Sequence, residues 1–149
     1  MKPCAPFRKN SCAYHKKTVN IETCRRTLQN RLRKQLEQRE QLRQQVLETV
    51  LNAAPAIIAH FPSIQRAYLF GSITRTGAFH ADSDVDIGVE GASAAEYFAV
   101  WRALDEAFPE IFIDVRDVIP DTYFGQQVQT RGILLYERRH PHSTSRNSG

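Results

Sequence analysis

The run Ala67-Tyr68-Leu69-Phe70-Gly71-Ser72, followed after a spacer by Asp84-Val85-Asp86-Ile87-Gly88-Val89, decides the fold. Ala67 to Phe70 is short and apolar and stops at a glycine, the pattern of a buried strand. Val85 to Val89 reads as a second strand with Asp86 embedded in it. Residues two apart in a strand share a face, so Asp84 and Asp86 present two carboxylates side by side. Adjacent unpaired anions oppose each other's ionisation, and a divalent cation removes the conflict. Mg²⁺ favours a few carboxylates completed by water and substrate phosphates. Asp114, between Ile113 and Val115 in a third apolar run from Ile111 to Val115, adds a third carboxylate. Three such groups can hold two ions, which activate an attacking oxygen and stabilise a leaving one. That chemistry suits phosphoryl or nucleotidyl transfer. Gly71 permits close backbone approach to a ligand, Ser72 offers a hydroxyl, and the amides after it are expected to open a helix whose N-terminus binds phosphate. Arg75 reads either as a charge-assisted triphosphate contact or as a surface ion-pair residue.

Working outward, the chain before this run turns helical over residues 23–60. Leu28, Leu32 and Leu36 recur every four residues, and Leu42, Val46, Val50 and Ile57 resume the stripe after a phase shift. Arg, Lys, Glu and many Gln lie between them, all good helix formers. Pro55 predicts a break or kink near residue 54. After the second strand, Ser93-Ala-Ala-Glu96 has the form of a capping box. The helix it opens carries Tyr97, Trp101 and Leu104 on one stripe, with Phe98 and Phe108 beside it. Trp101, Phe98 and Phe108 are expected in the core rather than on a base-stacking platform. Pro120 and Asp121 suit the start of a short helix and Gly132 its end, and Ile133 to Tyr136 is a last short strand. Residues 1–22 read as a basic, flexible leader, 61–139 as the α/β core and 140–149, rich in Ser, Pro, Asn and His, as a disordered tail.

Charge separates the two halves. Residues 1–48 carry twelve Lys/Arg and four Glu, whereas residues 49–149 carry eight Arg and twelve Asp/Glu. The basic stretch from Arg25 to Arg43 admits three readings: a solvated helix face, a docking surface for an acidic partner or a second subunit, and a nucleic-acid surface. Its lack of aromatic residues disfavours nucleic acid, and the leucine stripe favours a protein partner or a coiled pairing between copies. At 149 residues the chain is expected to form about one domain with a core of its own. No apolar run approaches the roughly 20 residues of a membrane span. The three cysteines, Cys4, Cys12 and Cys24, form no disulfide framework, and with His15 they match no compact zinc spacing. A cytoplasmic location is expected. His80 reads as a solvent-exposed loop residue, and Asp117 as a cap or surface residue on the strand face opposite Asp114.

The pieces YLFGS at 68–72, SDVDIGVE at 83–90, IDVRDVIP at 113–120 and GILLYE at 132–137 follow in an order that resembles the nucleotidyltransferase superfamily of DNA polymerase β. Its motif is Gly-Ser or Gly-Gly, a spacer, Asp-x-Asp, and a later third carboxylate. The resemblance covers about residues 66–137, and the short chain is similar to the minimal members. It implies an α/β (α+β) fold, with a small mixed β-sheet flanked by helices and here a long N-terminal helix. It implies Asp84 and Asp86 as Mg²⁺ ligands. Asp114 would be the third ligand and would help deprotonate the acceptor hydroxyl. Gly71 and Ser72 would grip the phosphates of ATP or another NTP. It further implies a helical HEPN-type toxin as partner, with AMP passed from ATP to a tyrosine of that toxin, so that this chain acts as antitoxin. Neutralisation by binding alone is the alternative, and nucleotidylation of a small molecule a less favoured one. Two features depart from the pattern. The spacer Ile73 to Ser83 has eleven residues where ten are usual, with Thr76 splitting the usual Arg-Gly pair, and some 60 residues precede the first strand.

Overall fold

The computed structural model describes residues 20–139. The flexible leader and the tail expected at the two ends, with Cys4, Cys12 and His15, lie outside them, apart from residues 20–22. The chain divides into two compact units, one up to Arg33 and one from Lys34 onward. Helix α1 spans Ile21–Ile58. In the first unit the described residues are its opening turns, where the Asn20 side-chain oxygen accepts from the amides of Glu22 and Thr23 at 3.0 and 3.3 Å. This cap satisfies donors that a helix start leaves without partners. Leu28 and Leu32 there are 58% and 51% exposed.

In the second unit α1 changes character. Leu36 is still exposed. Leu42 and Val46 pack against the core, and Val50, Ala54 and Ile58, at four-residue spacing, are completely buried. The helix runs through Pro55 without interruption, contrary to the break expected near residue 54. A proline removes one hydrogen bond, the one to the carbonyl four residues back. Here that loss falls in the last turn, held on either side by Ala54 and Ile58.

Four strands form one sheet in the order β3-β2-β1-β4: β1 Arg66–Phe70, β2 Val85–Glu90, β3 Ile113–Asp117 and β4 Ile133–Glu137. β1 is antiparallel to both β2 and β4, while β2 and β3 run parallel. A parallel pair needs a long crossover, and helix α2, Ala94–Ala107, supplies it. The sheet is mixed and flanked by helices, as expected. Its core joins Leu69, Val85, Ile87, Val89 and Val115 to Val100 and Leu104 of α2 and to the buried turns of α1.

α2 also closes the outer edge of β3. Tyr97 donates its hydroxyl to the Val115 carbonyl at 2.6 Å, and the Trp101 indole N–H donates to the Ile113 carbonyl at 3.0 Å. Strand edges left open invite pairing with other chains, and here two side chains use the groups that a fifth strand would take. Phe98 does not join the core as expected: it is 65% exposed, and its ring meets Tyr97 edge-on. The capping box closes in only one direction. Ser93 Oγ accepts from the Glu96 amide, but the Glu96 carboxylate turns to the amide and hydroxyl of Ser63. The Ser63 hydroxyl oxygen in turn accepts from the Ser93 amide at 2.9 Å. Helix α3 spans Tyr123–Arg131, capped by the Thr122 hydroxyl, so it starts two residues beyond Pro120-Asp121 and ends at Gly132 as expected. Among the described residues no helix is long and apolar enough to cross a membrane.

Candidate active site at the Asp86 end of the sheet

The parallel register sets Asp86 of β2 directly opposite Asp114 of β3, and the antiparallel register sets Asp86 opposite Phe70 of β1. Asp84 lies just before β2 and is exposed, while Asp86 and Asp114 are half-buried. The three carboxylates are close enough to feel one another. Burial is the largest cause that pushes the Asp86 pKa above its ordinary value, followed by the negative charges of Asp114 and Asp84, with Arg116 acting against them. The charges of Asp114 and Asp84 thus both reach Asp86.

Gly71 explains why the strand ends where it does. Its φ is +76°, a region that side chains disfavour. A β-carbon on Gly71 would lie 2.0 Å from Asp86 Oδ2. The close approach that this glycine permits is thus to the Asp86 carboxylate, within the protein itself. After Gly71 the chain makes a single 3-10 turn, Gly71–Thr74, in place of the helix expected there. One turn of four residues has little macrodipole, so the helix N-terminus expected to bind phosphate is absent here. Ile73 is buried, the Thr74 hydroxyl donates to the Gly71 carbonyl at 2.9 Å, and the Arg75 amide donates to the Ser72 carbonyl at 3.1 Å.

Gly71 and Arg75 also border a cleft of about 490 Å³, whose other wall is α3 with Tyr123, Phe124 and Arg131. Phe124 meets Phe70 edge-on at 5.5 Å. Two arginines and exposed aromatic rings suit an anionic ligand with a flat ring. Neither Phe124 nor Arg131 was marked by the sequence, because a helix with so short an apolar stripe reads as ordinary surface.

Arg116 was also unmarked. Its Nε donates to Asp114 Oδ2 at 2.8 Å, and that hydrogen bond, more than the charge attraction, raises the Arg116 pKa. The signal was available, since Arg116 stands two residues after Asp114 on a strand and shares its face. Burial, and after it the Asp114 charge, pushes the Tyr97 hydroxyl pKa up. Asp117, at the end of β3, is exposed. His80 is exposed, and its amide donates to Ser83 Oγ.

Among the described residues no three His, Cys, Asp or Glu groups converge as a preformed cation cage. The donor set nevertheless fits Mg²⁺. It is made of hard carboxylate oxygens, it carries unbalanced negative charge at Asp86, and Mg²⁺ keeps several waters rather than requiring an all-protein cage.

The polymerase beta nucleotidyltransferase family model matches residues 52–141, from the last turns of α1 through β4. No curated protein matches the chain. Solved structures similar to it include a toxin–antitoxin with AMP-PNP, at 25% identity and TM-score 0.44, covering 65% of this chain and 74% of that one. A mutant of the toxin–antitoxin MntA–HpeT is 22% identical, with TM-score 0.43 and the same coverage. A tri-AMPylated Shewanella oneidensis HEPN toxin in complex with MNT antitoxin is 23% identical, with TM-score 0.38, covering 66% and 73%.

Proposed function

Because the chain belongs to the polymerase β nucleotidyltransferase family, we propose that it transfers a nucleoside monophosphate, AMP from ATP, to an acceptor hydroxyl. The observation that carries this reading is the register that puts Asp86 beside Asp114, with Gly71 closed against the Asp86 carboxylate. Asp84, Asp86 and Asp114 are the residues that would hold Mg²⁺. When bound there, Mg²⁺ supplies charge neutralisation to the phosphoryl group and to the attacking and leaving oxygens.

The chain's own groups do the rest. Ser72, Arg75 and the amides of the 3-10 turn hold the triphosphate, and Arg131 adds positive charge across the cleft. Phe124 and Tyr123 offer ring faces to the base. Asp114 takes the proton of the acceptor hydroxyl. The acceptor oxygen then forms a bond to the α-phosphorus as the bond to the β-phosphate's bridging oxygen breaks, and pyrophosphate leaves. Positioning and electrostatic complementarity account for most of the rate.

The acceptor in this proposal is a tyrosine of a HEPN-type toxin, so that transfer neutralises the toxin. The similarity of the sequence to minimal nucleotidyltransferases supports it, as do Leu28 and Leu32, exposed among basic residues on the described turns of α1. The same leucines support the second reading, an antitoxin that acts by binding without transfer. The deciding experiment incubates the protein with α-labelled ATP and Mg²⁺, with and without the protein encoded beside it. Label on that partner, lost in the Asp84→Asn/Asp86→Asn variant, is the expected result. A stable complex without label favours binding alone, and label that survives the double substitution removes the proposed site.

A further inference from the structure

The turn and loop from Gly71 to Gly77 begin and end on glycines at φ +76°. Glycines of this kind leave a segment with more conformational freedom than any other residue does. Ser72 and Arg75, the side chains assigned to the phosphates, lie between them. Something outside the loop has to hold it, and α1 does. Arg43 Nη1 donates to the Ile73 carbonyl at 2.9 Å. Its Nε bridges both oxygens of Glu40 at 3.0 and 3.1 Å, and its Nη2 donates to Glu40 Oε1 at 2.6 Å. Glu40 Oε2 then accepts from the Gly77 amide at 3.4 Å, and Glu40 Oε1 accepts from Gln44 Nε2. The Arg43 side chain is only 12% exposed and that of Glu40 25%.

We propose that Glu40 and Arg43 are positioning residues for the nucleotide, clamping the loop at Ile73 and Gly77 so that Ser72 and Arg75 are held where the triphosphate binds. The inference rests on the reading that this loop takes the phosphates. The two residues touch no reacting atom and act through the loop backbone. The guanidinium is suited to the task because its planar fork serves the carbonyl and the carboxylate at once. A lysine ammonium at the same place keeps the charge and reaches one of the two. The clamp also gives the polar surface of α1 over residues 40–44 a role within this chain that none of the three readings of the basic stretch included.

The test compares the full-length wild type with Arg43→Lys, Arg43→Gln and Glu40→Gln. ATP binding is measured by calorimetry in Mg²⁺, KM and kcat by transfer of label, and amide exchange by mass spectrometry over residues 71–78. Both Arg43 variants are expected to weaken ATP binding about tenfold and to raise KM by more than they lower kcat. Exchange should quicken in the loop and stay unchanged in β2. Glu40→Gln leaves the bond from Arg43 to Ile73 in place. It is expected to weaken binding about threefold, and it serves as the reporter if an Arg43 variant does not fold. A role in stability alone lowers the melting temperature and leaves ATP affinity unchanged in the folded variants, which overturns the clamp while the transferase reading stands. Full recovery of affinity in Arg43→Lys overturns it too, since charge would then suffice. A wild type that binds no ATP overturns both readings.

Discussion

β1 and β2 carry a charge cluster at each end, and the two clusters are built on opposite terms. At one end Arg66 faces Glu90 in register, pairs with it at 3.5 Å and donates to Glu137 at 2.8 Å. Glu90 also accepts from Gln129 at 3.2 Å and from the Tyr68 hydroxyl. At the other end Phe70 faces Asp86, and the neighbours of Asp86 are two more aspartates, with Arg116 turned to Asp114. The matched end satisfies every carboxylate with a donor, and such clusters contribute modestly to stability. The unmatched end sets three aspartates against the single cation of Arg116, an excess of negative charge that suits the proposed metal and nucleotide.

The strongest way to break this comparison is Asp86→Asn. Removing the central charge relieves the repulsion, so the melting temperature should hold or rise. Transfer should fall by about 100-fold or more, because charge stabilisation at the phosphoryl group is worth several kcal/mol. A variant that loses stability and keeps activity would show Asp86 to be structural. Gly71→Ala comes next. The new methyl meets Asp86 Oδ2, and alanine resists a positive φ, so a loss of about 1–3 kcal/mol is expected in urea unfolding, together with lost transfer as Asp86 is displaced. An unchanged urea midpoint would remove the claim that glycine is required there.

The unmatched end was largely legible in the sequence. Phe70-Gly71-Ser72, Asp84-x-Asp86 and Asp114 each sit at a strand end or within a strand, so local pattern puts each on its strand, while the register that sets Asp86 opposite Asp114 comes from the fold. What was not legible depends on residues far apart in the chain. Arg43 meets Ile73 thirty residues away, and Glu96 leaves its own capping box for Ser63, thirty-three residues away. Helical periodicity could not reveal that Phe98 stays exposed, because Tyr97 just before it and Trp101 three residues after it take the edge of β3. Periodicity reports which residues share a stripe, and the partner decides how wide the buried stripe is.

At the matched end Glu90→Ala sharpens the contrast. It removes the Arg66 pair and takes an acceptor from Gln129 and from the hydroxyl of buried Tyr68, for a loss of about 1 kcal/mol in urea unfolding. Transfer should be unchanged, since no group of that cluster approaches Gly71 or the aspartates in register. A fall in activity as large as that of Asp86→Asn would mean that the two ends are not independent.

Glu40 and Arg43 offer the finest test, because they form a matched pair that serves the unmatched end. The hydrogen bond from Arg43 holds the Glu40 pKa well below the ordinary 4.5, at about 2, with the Gly77 amide and Gln44 adding to the effect and partial burial opposing it. A carboxylate whose folded pKa is depressed binds protons more weakly in the native state than in the unfolded one. Its contribution is therefore complete above the ordinary value and is lost as pH falls through the folded value. The urea midpoint of the wild type should exceed that of Glu40→Gln by a small, constant amount above about pH 5. The gap should narrow from pH 4.5 downward and close near pH 2. The pair is partly open to solvent, and 0.5 M salt should shrink the gap wherever it is present, most clearly above about pH 5. A gap that persists undiminished at pH 2.5 would mean that Glu40 acts through shape rather than charge, and the clamp would then rest on the bond from Arg43 to Ile73 alone.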